Sequence, residues 1–433
     1  MTIYGSVDTD VLLGALIKTG ELDRAETYAK HVLAGRPEQH EALEFVIKRA
    51  LARQDFQSII DVIERAAAAG TREPELYRVL GYAHENVGNT VSAGTAFENS
   101  LALAPEQFQL WLKLGQMREA AGQEHPALIA YFRAITTAQR EGRWLSDETT
   151  APALQQRVRH AVKFTAQGRE RLYSKAIESI RLREGAAAMQ RVERSIELYM
   201  GLEAPVYNSP VQRPTFLYFP GLPAAGFFPR ELFPWMDELE ANTDAIRKEA
   251  LGVLAAGDAL EPFLGPGSDM ATDQLRNDRG KPVWDAFFFY RHGKRYDDNC
   301  ERCPITARML DRMPCARIDA HAPETLFSVL TPGSHILPHT GVTNLRAVAH
   351  LPLIIPPDCA IRVGDEQRTW EEGKAFVFDD TYEHEAWNFS EQTRVVLITD
   401  VWNPYLTDAE REATRDLVVA IGDFNRACGI GVV

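Results

Sequence analysis

Two histidines, His339 and His384, stand 45 residues apart, each at a place where an alternating apolar pattern breaks. The first lies in Pro338-His339-Thr340-Gly341 and the second in Glu383-His384-Glu385. Imidazoles at strand ends are the means by which a β-sandwich or barrel holds a metal in its mouth. Ten residues after His384, Arg394 opens the apolar run Arg394-Val395-Val396-Leu397-Ile398. A cation flanked by valines on a buried strand needs a counter-charge, and where no acid of the fold supplies it an anionic ligand does. The residues from Thr331 to Asn403 therefore point to a metal and a dicarboxylate.

The elements that must position these groups read as short strands. Runs at Trp284 to Tyr290, Thr325 to Leu330, Ala347 to Ile355, Cys359 to Val363, Gln367 to Trp370, Ala375 to Phe378, Glu385 to Asn388 and Arg394 to Trp402 are rich in β-branched and aromatic residues. Pro, Gly and Asp separate them, which predicts a sandwich or barrel, read as a double-stranded β-helix or jelly roll. A helix from about Trp235 to Ala256 precedes them, and Pro220-Gly221-Leu222 and Phe227-Phe228-Pro229 lead into it.

The first third repeats itself. Tyr77, Leu80, Gly81, Ala93 and Phe97 recur 34 residues later as Trp111, Leu114, Gly115, Ala127 and Tyr131, while Pro105 is answered by Gln139. Leu12, Ala25, Ala29 and Pro37 lie 68 residues before the best unit, and a degenerate unit surrounds Val46, Asp55, Ile63 and Ala66, so four units span about residues 6–139. Small residues let two antiparallel helices approach and aromatics fill the neighbouring groove. The pattern resembles the tetratricopeptide repeat. Its concave surface would dock a peptide, protein or carrier, or else serve as a platform for dimerisation or packing.

The expected organisation is thus α+β and multidomain. It comprises an all-α repeat solenoid over 1–140, a helical connector over 141–205 with helices near 153–182 and 184–201, and a jelly-roll domain over 206–433. The segment Ala204 to Pro214, rich in Pro, Tyr and Asn, reads as a linker.

A formal charge of −14 at pH 7 argues against nucleic acid as a partner, since phosphate binding needs a basic field. The N-terminal stretch lacks a basic region and carries Asp8 and Asp10, so neither signal peptide nor membrane span is expected, and the cytoplasm is the expected compartment. Five cysteines, at 300, 303, 315, 359 and 428, fit reduced thiols better than a disulfide framework. Cys300-x-x-Cys303 with Cys315 and His321 matches no standard zinc spacing and reads as incidental thiols.

The phrases PGSHILPHTGVTN at 332–344, WEEGKAFVFDDTYEHEAWN at 370–388 and DVWNPYLT at 400–407 resemble the aspartyl/asparaginyl β-hydroxylase family, Fe(II)- and 2-oxoglutarate-dependent oxygenases on a jelly roll. The similarity runs from about Phe216 to Leu417, and animal members also carry tetratricopeptide repeats ahead of the oxygenase domain. The resemblance implies a hydroxylase acting on a peptide, protein or carrier-bound amino-acid side chain and using Fe(II), 2-oxoglutarate and O2. It makes His339 and His384 the metal ligands, Arg394 and Ser328 the holders of the distal carboxylate of 2-oxoglutarate, His350 a contact near its other end, and Arg346 a contact to the substrate carboxylate.

Most iron oxygenases of this kind add a carboxylate two residues after the first histidine. Gly341 stands there, and the resemblance implies that water completes the sphere. Asp379 and Asp380 are the nearby acids to consider, with turn capping as their other role. Two further departures concern charge: Val348 and Leu326 occupy positions where the family has an arginine and a lysine. The reaction class follows from the match, and the aspartyl substrate does not. A catalytically inactive jelly-roll and repeat scaffold that binds a protein partner is the alternative, and a cupin-like metalloenzyme without 2-oxoglutarate ranks third.

Overall fold

The computed structural model describes residues 9–257, 259–264, 275–277 and 284–430. The expected start of the first repeat, at residues 6–8, lies outside the described residues. The chain divides into two compact units, 1–168 and 169–433, and the boundary falls within the helix Gln155–Ala176. No described helix is long and apolar enough to cross a membrane.

In the first unit, eight helices form four antiparallel pairs: Thr9–Lys18 with Leu22–Gly35, His40–Ala52 with Phe56–Ala68, Pro74–Asn86 with Thr90–Leu103, and Phe108–Ala120 with Glu124–Arg140. The spacing of small residues explains the close approach, because a Cβ on Gly115 would lie 2.5 Å from the ring of Tyr131 and one on Gly81 would enter the ring of Phe97. Turns in the first, third and fourth pairs use Gly20, Gly88 and Gly122 at φ of 76°, 80° and 72°. In the second pair Gln54 takes φ 57° without that freedom, the local sign of the degenerate unit. Asp55 and Asn89 cap the helices that follow, accepting from Ser58 N at 3.1 Å and Ser92 N at 3.2 Å.

The second unit is built on strands β1 (Glu261–Pro262), β2 (Leu275–Asn277), β3 (Trp284–Arg291), β4 (Lys294–Arg295), β5 (Thr325–Leu330), β6 (Ser334–His339), β7 (Arg346–Ile354), β8 (Cys359–Val363), β9 (Glu366–Arg368), β10 (Phe376–Phe378), β11 (His384–Asn388) and β12 (Arg394–Trp402). They form two antiparallel sheets, ordered β1-β3-β5-β12-β7-β10, with β4 on β3, and β2-β6-β11-β8-β9. The eight strands from β5 to β12 alternate between the sheets, apart from the β8–β9 hairpin within the smaller one, in the strand order of a jelly roll.

The larger sheet is buried on both faces, so its strands read as nearly continuous apolar runs. Phe287, Phe289, Phe327, Val329, Leu351, Val395 and Leu397 pack outward with helices Met236–Ala241, Thr243–Ala256 and Pro304–Arg312. Their neighbours by alternation face the other sheet, where Leu330, Val348 and Val396 meet Ile336, Ile361 and Val363. The expected helix 235–256 breaks at Asn242, and strand β6 and the helices Asp297–Arg302 and Asp408–Ala427 were not foreseen.

The stretch read as a linker is stitched into the fold at its end. Arg213 N donates to Thr381 O at 2.7 Å, Glu383 N donates to Val211 O at 2.9 Å, and Gln212, 1% exposed, donates to Asp379 Oδ2 and Thr381 Oγ1 at 3.1 Å each.

Candidate active site

Register brings the two histidines together. β6 pairs with β11 so that His339 stands opposite His384, and a bulge between His384 and Ala386 shifts the strand locally. The ring centroids are 4.1 Å apart. His339 Nδ1 lies 2.7 Å from Leu337 O and His384 Nδ1 lies 2.9 Å from Tyr382 O. A carbonyl can only accept, so Nδ1 carries the hydrogen in each ring, and Nε2 of the neutral ring keeps its lone pair. Burial first, then the neighbouring His339, pushes His384 down to about 3, and burial lowers His339 as well. Both rings are therefore neutral at pH 7 and offer two nitrogen donors of the kind that transition metals take. Among the described residues, no cluster of three or more His, Cys, Asp or Glu side chains suited to a metal is present.

Both histidines line a cavity of ≈ 170 Å³ between the sheets, and Ser328, Arg346, His350 and Arg394 line it too. All six residues singled out from the sequence thus meet in one place. Alternation along β12 accounts for part of this: Val395, Leu397 and Val401 point away, while Arg394, Ile398 and Asp400 reach the cavity.

Arg394 is 1% exposed, and its Nε has no hydrogen-bond partner. Among the described residues no carboxylate forms an ion pair with it, and its guanidinium lies 5.1 Å from the centre of the Trp370 ring. Burial pulls its pKa down to about 10, which still leaves it charged at pH 7. Trp370 Nε1 donates to His350 Nδ1 at 3.2 Å, and burial followed by Arg394 and His384 holds His350 neutral. Ser328, fully buried, accepts from Trp284 Nε1 at 3.0 Å, so its own hydroxyl hydrogen remains to be donated.

Arg346 behaves differently. Its Nη1 lies 2.5 Å from Asp400 Oδ2. Burial opposes its charge, but Asp400, Asp380 and Glu324 outweigh that penalty and keep the guanidinium ionised.

The two adjacent acids have separate jobs. Asp379 closes its turn by accepting from Thr381 N at 2.9 Å and Thr381 Oγ1 at 2.5 Å. Asp380 faces the cavity, and its carboxyl fills the space that a Cβ on Gly341 would need. Burial lifts Asp380 to about 8, and its Oδ1 has no hydrogen-bond partner. His335 lies on β6, with Nε2 2.7 Å from Glu385 Oε2. All five cysteines are buried thiols, and burial lifts Cys303 to about 12.

Trp284, Trp370 and Asp400 escaped the sequence reading. The signal for Asp400 was present, as an acid on the inward phase of the apolar strand that begins with Arg394.

Residues 240–404 match the family model described as aspartyl/asparaginyl beta-hydroxylase. This stretch is similar to aspartyl/asparaginyl β-hydroxylases. The human aspartyl/asparaginyl beta-hydroxylase is 36% identical over 176 residues, covering 40% of this chain and 22% of that protein. The ornithine lipid ester-linked acyl 2-hydroxylase of Rhizobium tropici is also 36% identical, over 180 residues, covering 41% of this chain and 60% of that protein. The chain thus spans less than two thirds of the length of either. A crystal structure of MamA protein aligns with 39% of this chain and 92% of its own, at 22% identity and a TM-score of 0.27. The matched stretch lies within the unit that contains the cavity.

Proposed function

We propose that this chain is an Fe(II)- and 2-oxoglutarate-dependent hydroxylase whose active site is the jelly-roll cavity. The observation that carries the reading is Arg394, a buried cation with an unpartnered Nε and, among the described residues, no acid paired with it. Such a group is costly unless a ligand neutralises it, and a dicarboxylate does so. The neutral histidine pair, with each Nδ1–H spent on a carbonyl, supports a metal at the other end of the cavity.

In this reading His339 and His384 hold the iron, and Arg394 and Ser328 hold the distal carboxylate of 2-oxoglutarate by charge-assisted hydrogen bonds. His350, kept neutral and fixed by Trp370, contacts the co-substrate without adding charge. Bound iron would supply dioxygen activation, the net change being R–H + O2 + 2-oxoglutarate → R–OH + succinate + CO2. The Asp380 carboxyl, set where a side chain at position 341 would begin, occupies the place of the usual acidic ligand's side chain. The apolar walls exclude water from the reacting carbon.

The relatives' names refer to aspartyl or asparaginyl residues in one case and to a lipid acyl chain in the other. A substrate carried on a peptide, protein or carrier and docked by the repeats suits the two-unit organisation. The test is succinate formation from 2-oxoglutarate. His339→Ala and His384→Ala should each abolish it, and turnover persisting in both would overturn the assignment in favour of a scaffold.

A further inference from the structure

Among the described residues three imidazoles line the cavity, and their partners divide them into two kinds. His339 and His384 spend Nδ1–H on carbonyls and keep a lone pair on Nε2. His350 meets the opposite kind of group. An indole N–H can only donate, and Trp370 Nε1 lies 3.2 Å from His350 Nδ1, so Nδ1 accepts and the hydrogen of this neutral ring sits on Nε2. The geometry suits a lone pair in the ring plane. The two ring centroids are 6.1 Å apart and their planes differ by 22°, which sets the rings edge to edge.

The other neighbours of this imidazole are apolar. β10 pairs with β7 so that Phe376 stands opposite His350, and the rings of Phe376 and Phe378 lie 5.3 Å and 5.1 Å from it. These rings hold the imidazole in place but have no N–H or O–H with which to select a tautomer. Trp370 does. The same indole lies against Arg394, whose guanidinium carbon is 5.1 Å from its ring centre, so its N–H edge serves one cavity side chain and its π-system another.

We propose that Trp370 is a positioning residue for co-substrate binding: by donating to Nδ1 it fixes His350 as a donor through Nε2–H, which a carboxylate oxygen of 2-oxoglutarate accepts. The same bond withholds from the metal the Nε2 lone pair of a third imidazole. This inference rests on the co-substrate reading above, and its test keeps the two apart.

The first measurement uses the metal-free full chain labelled with ¹⁵N-histidine and requires no replacement of Trp370. Long-range ¹H–¹⁵N spectra at pH 7 should show one imidazole, identified by its loss in His350→Gln, with a bare Nδ1 and a protonated Nε2. The reverse tautomer, or an imidazolium, overturns the inference. In Trp370→Phe, which keeps an aromatic ring beside Arg394, that imidazole should report a mixture of tautomers.

Calorimetric titration with Mn(II) and N-oxalylglycine, an inert 2-oxoglutarate analogue, then reads the consequence. Trp370→Phe should weaken binding of the analogue about tenfold, as expected when a hydrogen bond to a charged group is released. In the His350→Gln background the same replacement should change the affinity by less than about twofold, because no tautomer is left to set. Equal losses in the two backgrounds would make the role of Trp370 merely structural and overturn the proposal. A native protein that binds neither Mn(II) nor the analogue overturns the co-substrate reading, and the donor role with it, while the tautomer read on the metal-free protein is unaffected.

Discussion

Asp380 and Gly341 share one volume: the carboxyl of the first occupies the space that a side chain on the second would require, and Gly341 N donates to Asp380 O at 2.6 Å. Restoring an acid at the usual ligand position should therefore harm the fold. Gly341→Asp alone is expected to destabilise the protein by about 1–3 kcal/mol through overpacking. Asp380→Ala combined with Gly341→Asp should recover most of that loss. Thermal melts of the two single variants and the double variant measure the coupling, and additive effects would show that the two positions do not compete for space.

Arg394 predicts opposite effects on stability and binding. Arg394→Met removes an unpartnered buried cation, so without ligand the variant should be more stable than the parent by about 2 kcal/mol. It should also lose the binding of N-oxalylglycine. A melting temperature that falls would instead assign Arg394 a structural partner.

Acid should weaken the metal-free protein through His384. In the fold this imidazole has a pKa of about 3, against an ordinary value of 6.5, so below pH 6.5 the unfolded chain takes up a proton that the folded chain refuses. Stability should thus fall as pH drops from 6.5 towards 3, by an amount on the order of a few kcal/mol. His384→Gln should flatten that slope. Denaturant titrations across this range in the presence of a chelator compare the two proteins, and equal slopes would contradict the burial argument.

The Arg346–Asp400 pair should behave as a buried pair does when half of it is removed. Asp400→Asn is expected to cost about 3 kcal/mol, because the arginine is left charged and unmatched. Replacing both with Met and Leu should cost much less. Urea unfolding followed by near-UV circular dichroism tests this, and equal losses from the single and the double replacement would refute it.

Much of the site was legible because its chemistry is local. Arg394 among valines announces a buried charge whatever the fold, and alternation carries Ile398 and Asp400 to the same face. The family phrases name both histidines. Their pairing could not be read, because it depends on β6, where Ser334 and Pro338 mask a strand whose register only the neighbouring β11 establishes. The different duties of Asp379 and Asp380 were also hidden, since adjacent side chains diverge according to a turn held by Gln212 from far away in the sequence. The closing helix Asp408–Ala427 had a readable signal in its Thr407 and Glu410 capping box, and Glu410 is locked to Arg191 Nη2 at 2.6 Å.

The bonds from 211–213 to the turn before His384 bear on how this protein can be divided. The family match begins at residue 240, yet the backbone leading into the second histidine is held by hydrogen bonds from nearly thirty residues upstream. A fragment cut to the recognisable domain would keep both imidazoles and Arg394 but release the turn that aims one of them. A fragment that keeps this turn must therefore begin at or before Val211, outside the stretch that the family match marks.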